Sequence, residues 1–215
     1  MSTLSVLAAV LAAIQGYLLG SVSFAVIVSR IMAKDDVRKY GSGNAGMTNM
    51  LRVYGKKAAA WVLLGDFSKG IAAVALARLL FDWLGAGFMD GGYIGGLFAL
   101  LGHLFPLYFG FRGGKGVLTS CGIMLLLNPL VFLITVLPMV VLVFAVRIVS
   151  LASILGGVIY PIVTYLVLSS QGTPAFFDTF FAAMLGMIVI IMHRQNIKRL
   201  LAGTENRFGS KPKQS

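Results

Sequence analysis

The chain has 215 residues, 58% hydrophobic and 12% charged, with a net charge of +11 and a mean hydropathy of +0.91. That balance excludes a soluble domain and predicts an integral membrane protein, a single transmembrane domain over residues 1–215. Nothing beyond the charge supports nucleic-acid binding, and the single cysteine, Cys121, excludes an internal disulfide.

Hydropathy divides the chain into apolar stretches, all expected to be helices because a helix satisfies its own backbone in lipid. The first is Leu4–Ile31, which lacks a basic leading segment and is expected to be a retained span rather than a cleaved signal. Ala58–Leu80 follows, carrying Asp66 and Lys69 at helical spacing, and then Gly92–Phe109. Val117–Val146 is too long for one ordinary span and holds Asn128-Pro129 near its middle. Leu151–Leu168 and Phe176–Met192 complete the set.

The charges decide the count. Lys34, Arg38, Lys39, Arg52, Lys56 and Lys57 crowd the first loop. Arg112, Lys115 and Arg147 lie in later loops, and Arg194, Lys198, Arg199, Arg207, Lys211 and Lys213 fill the tail. The opposite connections hold Asp82, Asp90 and Asp178, with Arg78 alone near them. Basic loops stay in the cytosol. That requires Val117–Val146 to cross twice, turning at Asn128-Pro129. The expected fold is all-α, with seven transmembrane helices, the N-terminus outside and the C-terminus cytosolic. Each half of the divided stretch, at about 15 residues or 22 Å of helix, is short for a core of about 30 Å.

Topology does not call for the glycine-rich loops. Gly41, Ser42, Gly43, Asn44, Thr48, Asn49 and Arg52 combine permissive backbone with neutral donors and one fork-shaped cation. A capped turn explains each of these residues singly; five donors between 42 and 52 favour an anion site. Gly113, Gly114, Lys115 and Gly116 resemble a Walker A loop but fail its spacing, and Gly116 stands where a magnesium-binding Ser or Thr belongs, so ATP hydrolysis is not expected. Beyond the last span, His193 and Asn196 fall near one helix face. Glu205, the only Glu, is expected to hold the tail in a salt bridge. Two His, one Cys and no clustered carboxylates offer no metal ligand set.

The three segments GSGNAGMTNMLR, GHLFPLYFGFRGGKGV and HRQNIKRLLAGTE (about 41–52, 102–116 and 193–205) resemble, in order and spacing, the cytosolic motifs of the bacterial acyl-phosphate:glycerol-3-phosphate acyltransferases, the PlsY family. Leu64-Gly65-Asp66 with Lys69-Gly70, and Arg147 to Leu151, look like further family sequences. Met47 and Arg112 depart from the pattern without touching a donor position.

The resemblance implies acyl transfer from acyl phosphate to the 1-hydroxyl of glycerol 3-phosphate, without metal or cofactor, giving lysophosphatidic acid and phosphate. Ser42, Asn44, Arg52, Lys115, His193 and Asn196 would then be catalytic. Gly41, Gly43, Thr48, Asn49, Gly113, Gly114, Gly116 and Ser150 would bind substrate. The implied setting is the bacterial inner membrane, with the active site cytosolic, membrane lipid around it and the oligomeric state open to a monomer.

Two other classes fit parts of the pattern. An organophosphate transporter would place ionisable residues at the bilayer midplane and often shows repeat halves. An acyl-CoA-dependent acyltransferase would carry H-x-x-x-x-D, and neither His103 nor His193 has an Asp at that position.

Overall fold

The computed structural model describes residues 2–207 and is helical throughout, with nine α-helices among those residues. Lys211 and Lys213 lie outside the described residues. The chain divides into two compact units, residues 1–127 and 128–215.

In the first unit, the expected first span is broken. α1 (Thr3–Gly20) and α2 (Phe24–Ala33) are separated at Ser21-Val22-Ser23. The break is tied to the rest of the unit at two points. Lys69 Nζ donates to the Val22 carbonyl at 2.8 Å, and Ser21 Oγ accepts the Leu107 N–H at 3.2 Å. Capture of the freed backbone groups is what allows a helix to break within an apolar unit.

α3 (Met47–Trp83) is longer than the expected Ala58–Leu80 because it continues toward the first glycine loop. Gly55 interrupts it with φ +81°, so Met47–Tyr54 forms a separate short helix carrying Thr48, Asn49 and Arg52. α4 (Gly91–Leu104) stops short of the expected Phe109, at the Phe105-Pro106 step, where proline disfavours continuing the helix. A single 3-10 turn, Leu107–Phe109, follows. α5 (Val117–Leu127) has 11 residues, about 16 Å of helix.

Small residues set the packing of this unit. Gly16 and Gly20 of α1 meet the backbones of Gly95 and Ala99 on α4. On α5, Thr119 and Gly122 meet α3 backbone near Gly70 and Phe67, and at the other end Arg78 Nη1 donates to the Leu126 carbonyl at 2.8 Å. Arg78 also grips Asp90, with Nη2 2.7 Å from Oδ2, and Asp90 caps α4 through the Gly92 N–H. α4 and α5 thus pack against α3 between Phe67 and Phe81, and the loop between them reaches back to Arg38 and Ala45.

In the second unit, α6 (Pro129–Val146) begins at the expected Asn128-Pro129 turn, where Asn128 Oδ1 accepts the Val131 N–H at 3.1 Å. α7 (Val149–Ser170) and α8 (Phe176–Met192) pack closely where Gly157 faces Gly186. α9 (Arg194–Leu201) turns off α8 by 62°.

Among the described residues, five helical segments are long and apolar enough to cross a membrane, or six if α8 and α9 are counted as one bent span. α5 falls outside that number by length. The chain is a multi-pass membrane protein, and helix length by itself gives fewer than the seven expected crossings.

Candidate active site

The first glycine loop is organised by one side chain. Asn49 is buried, at 2% exposed, on the first turn of α3. Its Oδ1 accepts the Ser42 N–H at 2.9 Å, and its Nδ2 lies 3.1 to 3.3 Å from the carbonyls of Val37, Tyr40 and Asn44. Both ends of the amide are therefore spent on loop backbone, so Asn49 shapes the loop instead of presenting donors to a substrate. Gly41 and Gly43 take positive φ, +60° and +70°, as a loop wound this tightly around one amide requires. The side chains of Ser42, Asn44, Thr48 and Arg52 make no hydrogen bond within the described residues. These four expected donors remain available.

The second loop folds back onto the end of α4. Gly113 and Gly114 donate their N–H groups to the Leu104 and His103 carbonyls at 3.1 and 3.2 Å, satisfying acceptors that a helix end leaves open. Gly114 is also where the two loops meet. A Cβ there would come within 2.8 Å of the Ala45 carbonyl and collide with the His103 ring. Lys115 and Gly116 complete the loop, with Gly116 at φ +84°.

Arg38 ties the loops together from outside. Its Nη1 donates to the carbonyls of Phe109 and Arg112 at 2.6 and 2.9 Å. Its Nε and Nη2 grip Asp36 at 3.0 and 2.8 Å. That fork holds the Asp36 carboxyl below the usual carboxylate range. Arg30 adds a 3.7 Å contact to Asp36 and lies over the Phe109 ring, 5.6 Å from its centroid. Sequence reasoning counted Arg38 among the topological charges and passed over this role. An acid two residues before the Arg was its only local signal.

The second unit holds the third segment. Gly203 takes a left-handed turn after α9, and the Thr204 N–H donates to the Arg199 carbonyl at 2.8 Å. Glu205 is thereby folded back. Its Oε1 accepts from Ser150 Oγ at 2.9 Å and from Asn196 Nδ2 at 2.6 Å, and its Oε2 from Arg199 Nε at 2.7 Å. The expected tail salt bridge is present, and Ser150 and Asn196 both lean on it. Burial would raise the Glu205 carboxyl, but the three donors outweigh it and hold the group below its ordinary value. His193 is buried at the α8–α9 corner, with Nδ1 2.8 Å from the Val189 carbonyl. A carbonyl only accepts, so Nδ1 carries a proton.

A family model described as glycerol-3-phosphate acyltransferase matches residues 10–203. A glycerol-3-phosphate acyltransferase of Neisseria meningitidis is 43% identical over 91% of this chain and 94% of its own. One of Agrobacterium fabrum is 43% identical over 94% and 92%. The crystal structure of PlsY, an integral membrane glycerol 3-phosphate acyltransferase in its glycerol 3-phosphate form, superposes with a TM-score of 0.80 at 37% identity. It covers 94% of this chain and 96% of that one. The lysophosphatidic acid form gives 0.77 at 37% identity.

Fold and comparison together define an integral membrane acyltransferase. The chain belongs to the glycerol-3-phosphate acyltransferase family.

Proposed function

We propose that this chain transfers a fatty acyl group from acyl phosphate to the 1-hydroxyl of glycerol 3-phosphate. The observation that carries the reading is the apposition of the two glycine loops at Gly114 and Ala45, with Ser42, Asn44, Thr48 and Arg52 unspent beside them. Both substrates are anions at the reacting end, and such donors hold phosphate oxygens. The glycerol hydroxyl attacks the acyl carbonyl, a new ester C–O bond forms, and the bond from the acyl carbon to phosphate oxygen breaks. The departing phosphate takes the hydroxyl proton. The side chains named here then work by positioning and by stabilising charge on the carbonyl oxygen.

Within that reading, Lys115 with Gly113, Gly114 and Gly116 binds glycerol 3-phosphate, while Ser42, Asn44, Thr48 and Arg52 orient the reacting groups. Asn49, with Gly41 and Gly43, builds the first loop. The family resemblance assigns His193, Asn196 and Ser150 to the same reaction. The membrane topology proposed is seven crossings with the N-terminus outside. α5 is the short crossing, open to the cytosol through the loop that precedes it. The setting is the inner membrane of a bacterium, with the reaction on the cytosolic side.

Purified protein supplied with glycerol 3-phosphate and either acyl phosphate or acyl-CoA tests the reading. Lysophosphatidic acid should form with acyl phosphate alone. Product from acyl-CoA alone would transfer the chain to the other enzyme class. Uptake of glycerol 3-phosphate into vesicles without acylation would make it a transporter. Lys115→Ala should raise KM for glycerol 3-phosphate more than it lowers kcat. Arg52→Lys should be damaging although charge is kept, because the fork is lost.

A further inference from the structure

Three buried titratable groups in the first unit take no part in the chemistry above. Asp66 and Lys69, one turn apart on α3, pair at 2.8 Å and are 2% and 5% exposed. Lys69 also holds the Val22 carbonyl in the break between α1 and α2. His103, near the end of α4, places Nδ1 3.6 Å from Asp66 Oδ1. At that distance Nδ1 makes no hydrogen bond to Oδ1, which is the oxygen paired with Lys69. The other edge of the imidazole, Nε2, lies against Gly114, and the His103 carbonyl accepts the Gly114 N–H.

These contacts form one continuous path: Val22, Lys69, Asp66, His103, Gly114 and the Ala45 carbonyl. It begins at a helix break and ends where the two glycine loops meet. A buried ion pair contributes little net stability over well-packed apolar side chains of the same volume. What this one provides is a fixed floor. The His103 ring has Asp66 on one edge and loop backbone on the other, so its position sets how deeply the second loop lies against the first.

We propose that Asp66, Lys69 and His103 act as a buried positioning unit that sets the second glycine loop against the first and thereby the affinity for glycerol 3-phosphate. The proposal rests on the reading of that loop as the glycerol 3-phosphate site. His103 acts here through Gly114 and is a positioning residue.

The test uses the full-length protein in detergent, with His103→Leu, His103→Gln, Gly114→Ala and the His103→Leu/Gly114→Ala double variant. Calorimetry gives Kd for glycerol 3-phosphate, kinetics give both KM values and kcat, and melting gives Tm. His103→Leu should weaken glycerol 3-phosphate binding by about tenfold to a hundredfold, since a small displacement of a binding group costs that much. KM for acyl phosphate should stay near wild type. His103→Gln, which keeps a polar contact to Asp66, should recover part of the loss. The double variant should lose much less than the product of the two single losses, because both changes disturb one contact.

Unchanged binding in His103→Leu overturns the proposal. So does an equal rise in both KM values that tracks a fall in Tm, or single losses that multiply in the double variant. Should His103→Leu not fold, the same cycle is run with His103→Gln. A wild-type protein that binds no glycerol 3-phosphate would instead remove the reading on which the proposal rests, and the proposal with it. Wild-type binding with unaltered variants removes the proposal alone.

Discussion

Asn49 and Ser42 are joined by a hydrogen bond from the Ser42 N–H to Asn49 Oδ1 at 2.9 Å, while the Asn49 Nδ2 faces three loop carbonyls. One buried amide thus closes the loop that presents Ser42 and Asn44. Asn49→Asp keeps the acceptor but turns a negative charge toward those carbonyls. It should cost about 1–3 kcal/mol of stability for the lost donor, and more for the buried charge. Activity should fall with it. Thermal melts with kcat measurements check this, and a variant as stable as wild type would remove Asn49 from its role in building the loop.

Arg38 and Lys39 are neighbours in sequence with different expected sensitivities. Arg38 bridges Asp36 to the carbonyls of Phe109 and Arg112, a geometry that needs the planar fork. Arg38→Lys should lower kcat/KM by about tenfold, the equivalent of one charge-assisted hydrogen bond of roughly 1.5 kcal/mol. Lys39 pairs with Asp35 on the open surface, its side chain 67% exposed. Lys39→Ala should leave kcat/KM near wild type. Equal losses in the two variants would show that charge, not the fork, matters here.

His193 tests the route of the proton. If the leaving phosphate takes it, His193 orients and stabilises. His193→Asn and His193→Gln, which can each make a hydrogen bond, should then retain far more activity than His193→Ala. A general base is worth about 10²–10⁴-fold. Should all three variants fall by that factor, and the pH–rate limb of the wild type near the His range vanish in each, His193 is the base.

Glu205 sets a pH window for stability. Its carboxyl is held below its ordinary value near 4.5 in the folded protein by Asn196, Arg199 and Ser150, against the opposing effect of burial. A group with a depressed folded pKa contributes stability that is present above its unfolded pKa and is lost as pH falls through the folded one. Melting temperature should therefore be insensitive to this group at neutral pH and decline below about 4.5. In Glu205→Gln that part of the decline should disappear, with Tm at neutral pH already lowered. An identical acid limb in the variant would assign the decline to other carboxylates.

The crossing count is open to a direct measurement. In a Cys121→Ser background, single cysteines at Ser42, Arg112 and Gln195 should react with an impermeant thiol reagent only from the cytosolic side. A cysteine at Gly87, in a turn with open space around it, should react only from outside. Labelling of position 195 from outside would give an even number of crossings and contradict the seven-span topology.

Much of this protein is written in local patterns. Long apolar stretches identify a helical membrane protein because lipid leaves backbone groups no other solvent. Asn128-Pro129 marks the start of α6 because its cap and its proline act within one turn. The clustering of Ser, Asn, Thr and Arg among glycines marks the first loop as a candidate anion site, since those residue types can donate to phosphate oxygens.

Other features depend on residues distant in sequence, and only the tertiary structure decides them. The hold on the break at Val22 depends on Lys69, the close packing of α5 on backbone contact with Gly70 and Phe67, and the seating of Gly114 on His103 and Ala45. The division of labour within the first loop is of the same kind. Asn44 and Asn49 are chemically identical and five residues apart, yet one is left available and the other is used up on Val37, Tyr40, Asn44 and Ser42. Burial and the aim of a side chain decide which is which, and both are properties of the packed fold, not of the residue type.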